Sequence, residues 1–481
     1  MKKILNFIGG EYVESVSGEW LDNTNPATGE IYSHVTNSNN QDVLLAIESA
    51  KKAKDGWAKT PVLERAKILR KMAELIRERH DEFALAETID NGKPISVSGT
   101  VDIPRASTNL EFYADAISQY TTQSHQAEGV LNYTKRYPLG IVTCISPWNL
   151  PLYLFTWKIA PALATGNCVI GKPSEVTPMT ASLLGEVANQ AGLPAGVLNI
   201  LHGEGHRMGE ELVINKNIKA VSFTGSTATG KVISKLAGAN LKKSSLEMGG
   251  KNPNIIFDDC DYKNALYTTV ASSFANQGQI CLCGSRIFVH ENIYEQFKND
   301  LVEKAKALAL KQGDPQDPKT KQGALVSEAH FNKVMGCIEK AKEEGGSILC
   351  GGTRFGDKGF FIVPTIIENL SHTCDTNQEE IFGPVATITP FKTEEEVLEM
   401  ANSTEYGLGA SIWTKDINRA HRVADKVESG TVWINTWMLR DLRVPFGGMK
   451  NSGMGREGGN YSLDFFTEPK NICLKFDAEI L

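Results

Sequence analysis

Apolar positions first recur at helical spacing between Gln41 and Ala58, and again from Pro61 to Ile89, where Leu69, Met72, Leu75 and Ile76 share one face of a 3.6-residue period. Both segments predict amphipathic helices, the second stopping near "NGKP". From residue 139 the pattern changes. Short β-branched runs, "GIVTCIS", "NCVIGK", "GVLNIL" and "KAVSFTG", alternate with helical stretches, as parallel βαβ units do. A second alternation follows Lys251, with "NPNIIFD", "SRIFVH", "VATITPF", "GASIWT" and "TVWINT" divided by helices such as "TEEEVLEMANS". Two consecutive α/β domains are the economical reading. Two further stretches, "EGVLNYTKRYP" (128–138) and "KNICLKFD" (470–477), alternate polar and apolar residues outside either series. Strands without partners in their own domain tend to pair elsewhere, often across a subunit boundary, which predicts an oligomer.

Composition narrows the function class. A chain of 481 residues is too long for one ordinary core, so a deep site between domains is available. Hydrophobic content of 41% and charged content of 22% are ordinary for a globular protein. The net charge of −7 is dispersed, leaving no basic footprint for nucleic acid. The most apolar stretch, 140–172, is broken by Pro147, Pro151, Lys158 and Pro161, which argues against a membrane span. The opening "MKKILNFIGGEYVES" loses its apolar run at Gly9 and Gly10, too early for a signal-peptide core. The expectation is a soluble cytoplasmic protein that acts on small molecules and keeps its nine cysteines reduced.

Chemistry is concentrated in a few stretches. "SSFANQGQICLCG" (272–284) places Cys281 and Cys283 one residue apart. A disulfide across one residue is strained, and no further Cys or His stands at ligand spacing for a metal. Inert buried thiols and a catalytic nucleophile remain open on this stretch alone, because a thiol with a pKa of about 8.5 needs an activating neighbour. "LEMGGKNPNIIF" ends an apolar strand at Glu247 beside two glycines, where a carboxylate in a water-poor site would have a raised pKa and act as a general base. "ISPWNLP" sets Asn149 in a stiff loop between prolines, with an amide able to donate to an oxyanion. "EEIFGPV" offers Glu380 and Phe382, a carboxylate and an aromatic able to hold a cofactor ring. "SFTGSTATGK" follows a strand and opens a helix, so Gly225 and Ser226 could meet a pyrophosphate at a helix N-terminus.

In their order, "ISPWNLP", "GKPSE", "FTGSTATG", "LEMGGKNP", "FANQGQIC", "EEIFGP" and "PFGGMKNSGMGRE" resemble the motif series of the aldehyde dehydrogenase superfamily, spread from residue 145 to 456. The resemblance implies an α/β fold with a Rossmann-like parallel-sheet NAD domain (1–118 and 140–250), an α/β catalytic domain (251–450) and a small β oligomerisation element (119–139 and 465–481), assembled as a homodimer or homotetramer. It also implies Cys281 as nucleophile, Glu247 as general base and Asn149 as oxyanion-hole amide, and leaves Cys283 as a packing residue. Lys172 and Glu175 match the adenosine-ribose contacts of the family, and Trp148, Glu380 and Phe382 fall among its cofactor positions. A carboxylate at Glu175 accepts ribose hydroxyls and repels a 2′-phosphate, which favours NAD over NADP.

Substrate choice rests on the pocket. Arg440, in "INTWMLRDLRVPFGG", occupies a position commonly apolar in the family, and Arg105, in "DIPRAS", lies in its early substrate-lining helix. A guanidinium can grip a carboxylate bidentately, although surface ion pairing is the commoner fate of any single arginine. With "TVDIPRAS" and "QICLCGSRIFV", these stretches look most like the branch that oxidises 2-aminomuconate or 2-hydroxymuconate 6-semialdehyde. Another carboxylate-bearing semialdehyde, or a broad aldehyde, is the alternative. Acylation of coenzyme A is disfavoured because branches that do so usually lack the glutamate present here at 247.

Overall fold

Strands that are apolar on both faces belong in the middle of a parallel sheet, and four such runs lie together. Ile141–Ile145, Cys168–Lys172, Leu198–Ile200 and Ile218–Thr224 are buried almost throughout and pair in parallel. The computed structural model, which describes residues 1–476, extends them into an eight-stranded sheet. Lys243–Glu247 and the short antiparallel strand Gly453–Met454 flank one side, and Asn6–Ile8 and Glu11–Val13 flank the other. From Ile141–Ile145 the chain adds strands in one direction and then returns to add Ile218–Thr224 on the opposite side. The loops after these two neighbours therefore diverge, opening a crevice at their carboxyl ends.

The second alternation forms a seven-stranded sheet in the order Ser347–Cys350, Thr365–Glu368, Val385–Phe391, Arg286–His290, Pro253–Ile256, Gly409–Trp413 and Thr431–Ile434. All pairings are parallel except that of the first strand. Every strand expected from the two alternations is present. Among the described residues no helix is long and apolar enough to cross a membrane.

Three differences from the sequence reading have physical causes. The expected helix from Pro61 to Ile89 is two, Val62–Glu78 and His80–Asn91, with a break at Arg79. Leu69, Met72 and Ile76 before the break and Phe83 and Ala84 after it enter one core, so the apolar period continues across the bend. The two strands outside either series find each other: Val130–Pro138 pairs antiparallel with Thr467–Lys475, and Ser124–Ala127 completes a three-stranded sheet. Residues 477–481 of the expected oligomerisation element lie outside the described residues. Finally, Lys2–Ile4, Trp20–Asn25 and Glu30–Thr36 form a small sheet that polar, short-period sequence does not announce.

One buried guanidinium ties the second sheet together. Arg286 is 1% exposed and donates to the carbonyls of Lys251, Met400 and Ala401 at 2.7–2.8 Å. Burial lowers its pKa to about 9. Replacement by Met leaves the carbonyls of Lys251 and Ala401 without these donors, each a loss of about 1–3 kcal/mol when unsatisfied, and leaves Met400 only its bond from the Ser403 hydroxyl. Arg286→Met is therefore expected to lower the urea midpoint markedly, and an unchanged midpoint would contradict this account.

Candidate active site

The chain reaches Cys281 through a turn few sequences tolerate. After the helix Tyr262–Phe274, Asn276, Gln277 and Gly278 take φ of 50°, 56° and 72°, three left-handed residues in a row. At Gly278 a Cβ would lie 1.9 Å from the Gly383 carbonyl oxygen, so only glycine fits. Asn252 then fixes the segment: its Nδ2 donates to the carbonyls of Cys281 (2.7 Å) and Cys283 (2.8 Å), and its Oδ1 accepts from Gly409 N (2.9 Å). The two sulfurs part company here. Cys283, 6% exposed, packs with Ile280, Leu282, Leu408, Trp433 and Phe446, whereas half-buried Cys281 faces a cavity.

That cavity, about 250 Å³, opens in the crevice between the diverging loops. Trp148 and Asn149 come from one loop and Gly225 and Ser226 from the other, while Met248, Gly249, His330, Glu380 and Phe382 complete it with Cys281. Asn149 is 2% exposed, and its Nδ2 donates to the Gln279 carbonyl at 2.9 Å. One amide hydrogen is thereby engaged with the nucleophile segment and the other is left for a ligand.

Glu247 ends the strand Lys243–Glu247 and is 4% exposed, which excludes a surface role. Both carboxyl oxygens are buried without a hydrogen-bond partner, and a Cβ on Gly447 would lie 2.7 Å from Oε1. The carboxyl is thus withdrawn beside Gly447, behind the cavity wall. Burial, and then the charge of Glu457, push its pKa well above the ordinary carboxylate value. Lys158, which interrupts the apolar stretch in sequence, is fully buried here and donates to Glu457 (2.8 Å) and Ser222 (3.2 Å). No spacing rule could have connected Lys158 to Glu457, or Asn252 to Cys281, because the partners come from different elements.

The sequence-derived cofactor positions lie at strand ends and loops on the carboxyl side of the first sheet and around the cavity. Lys172, at the end of its strand, donates to Glu175 at 3.0 Å, and despite burial its ammonium holds the Glu175 pKa below the ordinary value. Ser226 caps the helix Thr227–Ala239 by accepting from Thr229 N at 3.2 Å. Trp148 meets Phe382 and His330 edge-on, with centroids 5.2 and 5.0 Å away. Glu380 accepts from Gly250 N at 2.9 Å, burial raises it to about 7, and a Cβ on Gly249 would lie 2.1 Å from its Oε2. Lys172 and Glu175 do not line the cavity that holds Cys281; they stand further along the same strand ends. A ring-sized cavity, a helix N-terminus and a Lys–Glu pair in succession fit an extended dinucleotide.

Arg105 and Arg440 lie outside that cavity lining and converge on one ring. Arg105 sits over Tyr153 at 5.4 Å, and Arg440 donates to the Tyr153 hydroxyl at 3.3 Å while stacking on Phe446 at 3.9 Å. The Nε of each is buried without a partner.

Burial, followed by the charges of Glu380 and Glu247, raises the Cys281 pKa above its ordinary value. A raised thiol pKa means that the reactive thiolate grows in as pH rises. In the protein alone, alkylation of Cys281 by iodoacetamide should therefore keep accelerating through pH 8 and 9. Cys283, pushed up to about 12 by burial among apolar side chains, should react more slowly at every pH. Peptide mass spectrometry over time tests both, and a plateau below pH 7 contradicts the first.

The chain is similar to known proteins over nearly its whole length. The family model described as "Aldehyde dehydrogenase family" matches residues 12–472. A 2-aminomuconic semialdehyde dehydrogenase from Bos taurus is 47% identical over 479 residues, covering 98% of each chain. A 2-hydroxymuconic semialdehyde dehydrogenase from Pseudomonas sp. (strain CF600) is 45% identical, covering 99% of this chain and all of the relative. The solved NAD+ complex of an aldehyde dehydrogenase from Bacillus cereus is 39% identical with a TM-score of 0.97, covering 99% of this chain and 97% of that one. With a cysteine delivered into the crevice of a doubly wound sheet, and the match running almost from end to end, the chain belongs to the aldehyde dehydrogenase family.

Proposed function

We propose that this protein oxidises a carboxylate-bearing semialdehyde, of the 2-aminomuconate or 2-hydroxymuconate 6-semialdehyde type, to the corresponding acid through a thioester on Cys281, with NAD as cofactor. The observation that carries the substrate class is the pair of arginines at Tyr153, each with an unpartnered buried Nε. The named activities of the 43–47% identical relatives support the same class.

Each residue has a task in this reading. Arg105 and Arg440 bind the substrate carboxylate and set the aldehyde end toward the cavity. The Cys281 thiol gives up its proton to solvent in the cavity, and its sulfur bonds to the carbonyl carbon as the C=O π pair moves onto oxygen. The resulting oxyanion is held by the free amide hydrogen of Asn149 and the backbone N–H of Cys281. Lys172 and Glu175 hold the adenosine ribose, Gly225 and Ser226 receive the pyrophosphate, and Trp148, Glu380 and Phe382 hold the nicotinamide half. When bound, the cofactor supplies a ring carbon that accepts hydride, leaving the substrate as an acyl group on sulfur. Glu247 then takes a proton from the water that attacks the thioester, the C–S bond breaks, and the thiol is restored. Its carboxyl must swing from Gly447 toward Cys281 to do so, losing its proton to solvent as it leaves the buried position and becoming the carboxylate that serves as base; no hydrogen bond holds it back.

The same proposal assigns residues 1–118 and 140–250 to cofactor binding and 251–450 to catalysis. The exposed antiparallel sheet around Val130–Pro138 supports a dimer or tetramer, and nine free thiols support a cytoplasmic setting.

Glu247→Gln should release one burst of NADH and then stall, because hydride departure precedes the hydrolysis that needs the base; a steady rate equal to the parent's contradicts the role. Arg440→Ala should lower kcat/KM for the semialdehyde by about 10-fold to 100-fold, as loss of a charged hydrogen bond does. It should leave uncharged aldehydes nearly unaffected. Equal losses on both would remove the substrate assignment.

A further inference from the structure

Behind Asn149 lies a cluster of charges with no access to solvent. Lys93, Glu87 and Asp102 are each 0% exposed. Lys93 Nζ donates to the backbone carbonyl of Asn149 at 2.9 Å and to Asp102, and reaches Glu87 at 3.5 Å. Neighbouring groups grip the same loop. Asn91 Nδ2 donates to the Trp148 carbonyl at 2.8 Å, and the Glu87 carboxyl accepts from Leu152 N at 3.2 Å. Asn276, on the nucleophile side, donates to the Asn149 carbonyl at 3.1 Å. Asp102 ends the π-helical turn Ser98–Asp102, which continues directly into the helix Ile103–Ser118 that carries Arg105.

Removing three ionisable groups from water is costly, and hydrophobic residues of the same volume would often serve stability as well. What a lysine adds is a directed donor at a fixed point. We propose that Lys93, held by Glu87 and Asp102, is a positioning residue: it fixes the Asn149 backbone so that the side-chain amide meets the oxyanion, and couples that amide to the helix bearing Arg105. The inference rests on the reading of Asn149 as the oxyanion donor. Burial raises the Glu87 pKa to about 8, which favours its uncharged form beside the Lys93–Asp102 contact. A π-helical turn at Asp102 is consistent with a site where helix geometry yields to a specific contact.

The test separates attack that makes an oxyanion from attack that does not. p-Nitrophenyl acetate acylates a thiol through an oxyanion and without hydride transfer, whereas iodoacetamide alkylates the same thiol by displacement with no oxyanion. In the full-length protein, the paired variant Lys93→Met with Asp102→Asn removes both charges together, so no lone charge is left buried. Its p-nitrophenolate burst rate should fall by about 10-fold to 100-fold, the scale of losing part of an oxyanion donor, while Cys281 alkylation changes by less than about twofold. Added to Asn149→Ala, the pair should cause no further loss, because its effect passes through that amide. Equal falls in acylation and alkylation, or losses that multiply on the Asn149→Ala background, overturn the proposal. Asp102→Asn alone retains volume and leaves Lys93 to pair with Glu87, which loses its proton in answer to the unpaired ammonium 3.5 Å away; it should slow acylation severalfold with alkylation unchanged, and unaltered acylation in that variant also overturns the proposal. A parent protein that shows no burst sinks the functional reading and this inference together, whereas a parent burst that the variants leave intact sinks the inference alone.

Discussion

The left-handed turn from Asn276 to Gly278 is the constraint on which the cleft depends. Two non-glycine residues in that region carry a strain of roughly 1–3 kcal/mol each, and the turn persists because several contacts over-determine it. The Asn276 side chain reaches across to Asn149, Asn252 holds the carbonyls on either side of Leu282, and Gly278 admits the Gly383 carbonyl where any Cβ would collide. Phe382, itself at φ 62°, is held from the far side by His330, whose Nε2 lies 2.7 Å from its carbonyl. The nucleophile segment, the Asn149 loop and the Glu380–Phe382 loop are thus fastened to one another rather than to a common sheet. The thiol of Cys281 is accurately placed because its backbone has no alternative position.

Placement comes with electrostatic consequences. Burial shifts the Cys281 thiol, Glu380 and, behind the cavity wall, Glu247 toward keeping their protons. In the proposed reaction, anionic sulfur, oxyanion and carboxylate each form where burial disfavours charge. The amide of Asn149 is neutral and preorganised, so it loses nothing to hydration when an oxyanion forms beside it. Glu247 is left without hydrogen bonds in its withdrawn position, which makes departure from that position inexpensive.

How much of this the sequence displays follows from the range of each interaction. The strands of both sheets are legible because their burial is written locally as β-branched runs, and the helix that opens after Ser226 is legible because its start lies directly after a strand. Cys281, Glu247 and Asn149 are recognisable only as parts of an ordered motif series; on spacing alone Cys281 is indistinguishable from Cys283. The break at Arg79 is invisible because both helices present apolar residues to one core, so the period never falters. Lys93, Lys158 and Asn252 are silent in sequence for a different reason. Their partners lie up to 299 residues away, and a lone lysine in an apolar run carries no sign of whether it meets water or a buried carboxylate.

The arginines at Tyr153 gain meaning from the charges they lack. Many arginines elsewhere are ion-paired, such as Arg70 with Asp115, Arg207 with Glu19 and Arg422 with Glu394, and Arg65, Arg286, Arg354 and Arg456 instead donate to backbone carbonyls. Among the described residues, Arg105 and Arg440 form no ion pair, and the carboxylate beside Arg440 in sequence, Asp441, is taken by Arg443. Stacking on Phe446, Trp157 and Tyr153 fixes the guanidinium planes at modest energy without neutralising them. A cation held in place by rings, with an N–H buried and unpartnered, is stabilised further by any ligand that brings a carboxylate to that depth. An uncharged aldehyde would leave both guanidinium groups unsatisfied and would displace whatever water reaches them. On the proposed reading, discrimination would be set by the unpaired state of the two arginines before substrate arrives, apart from the cysteine chemistry.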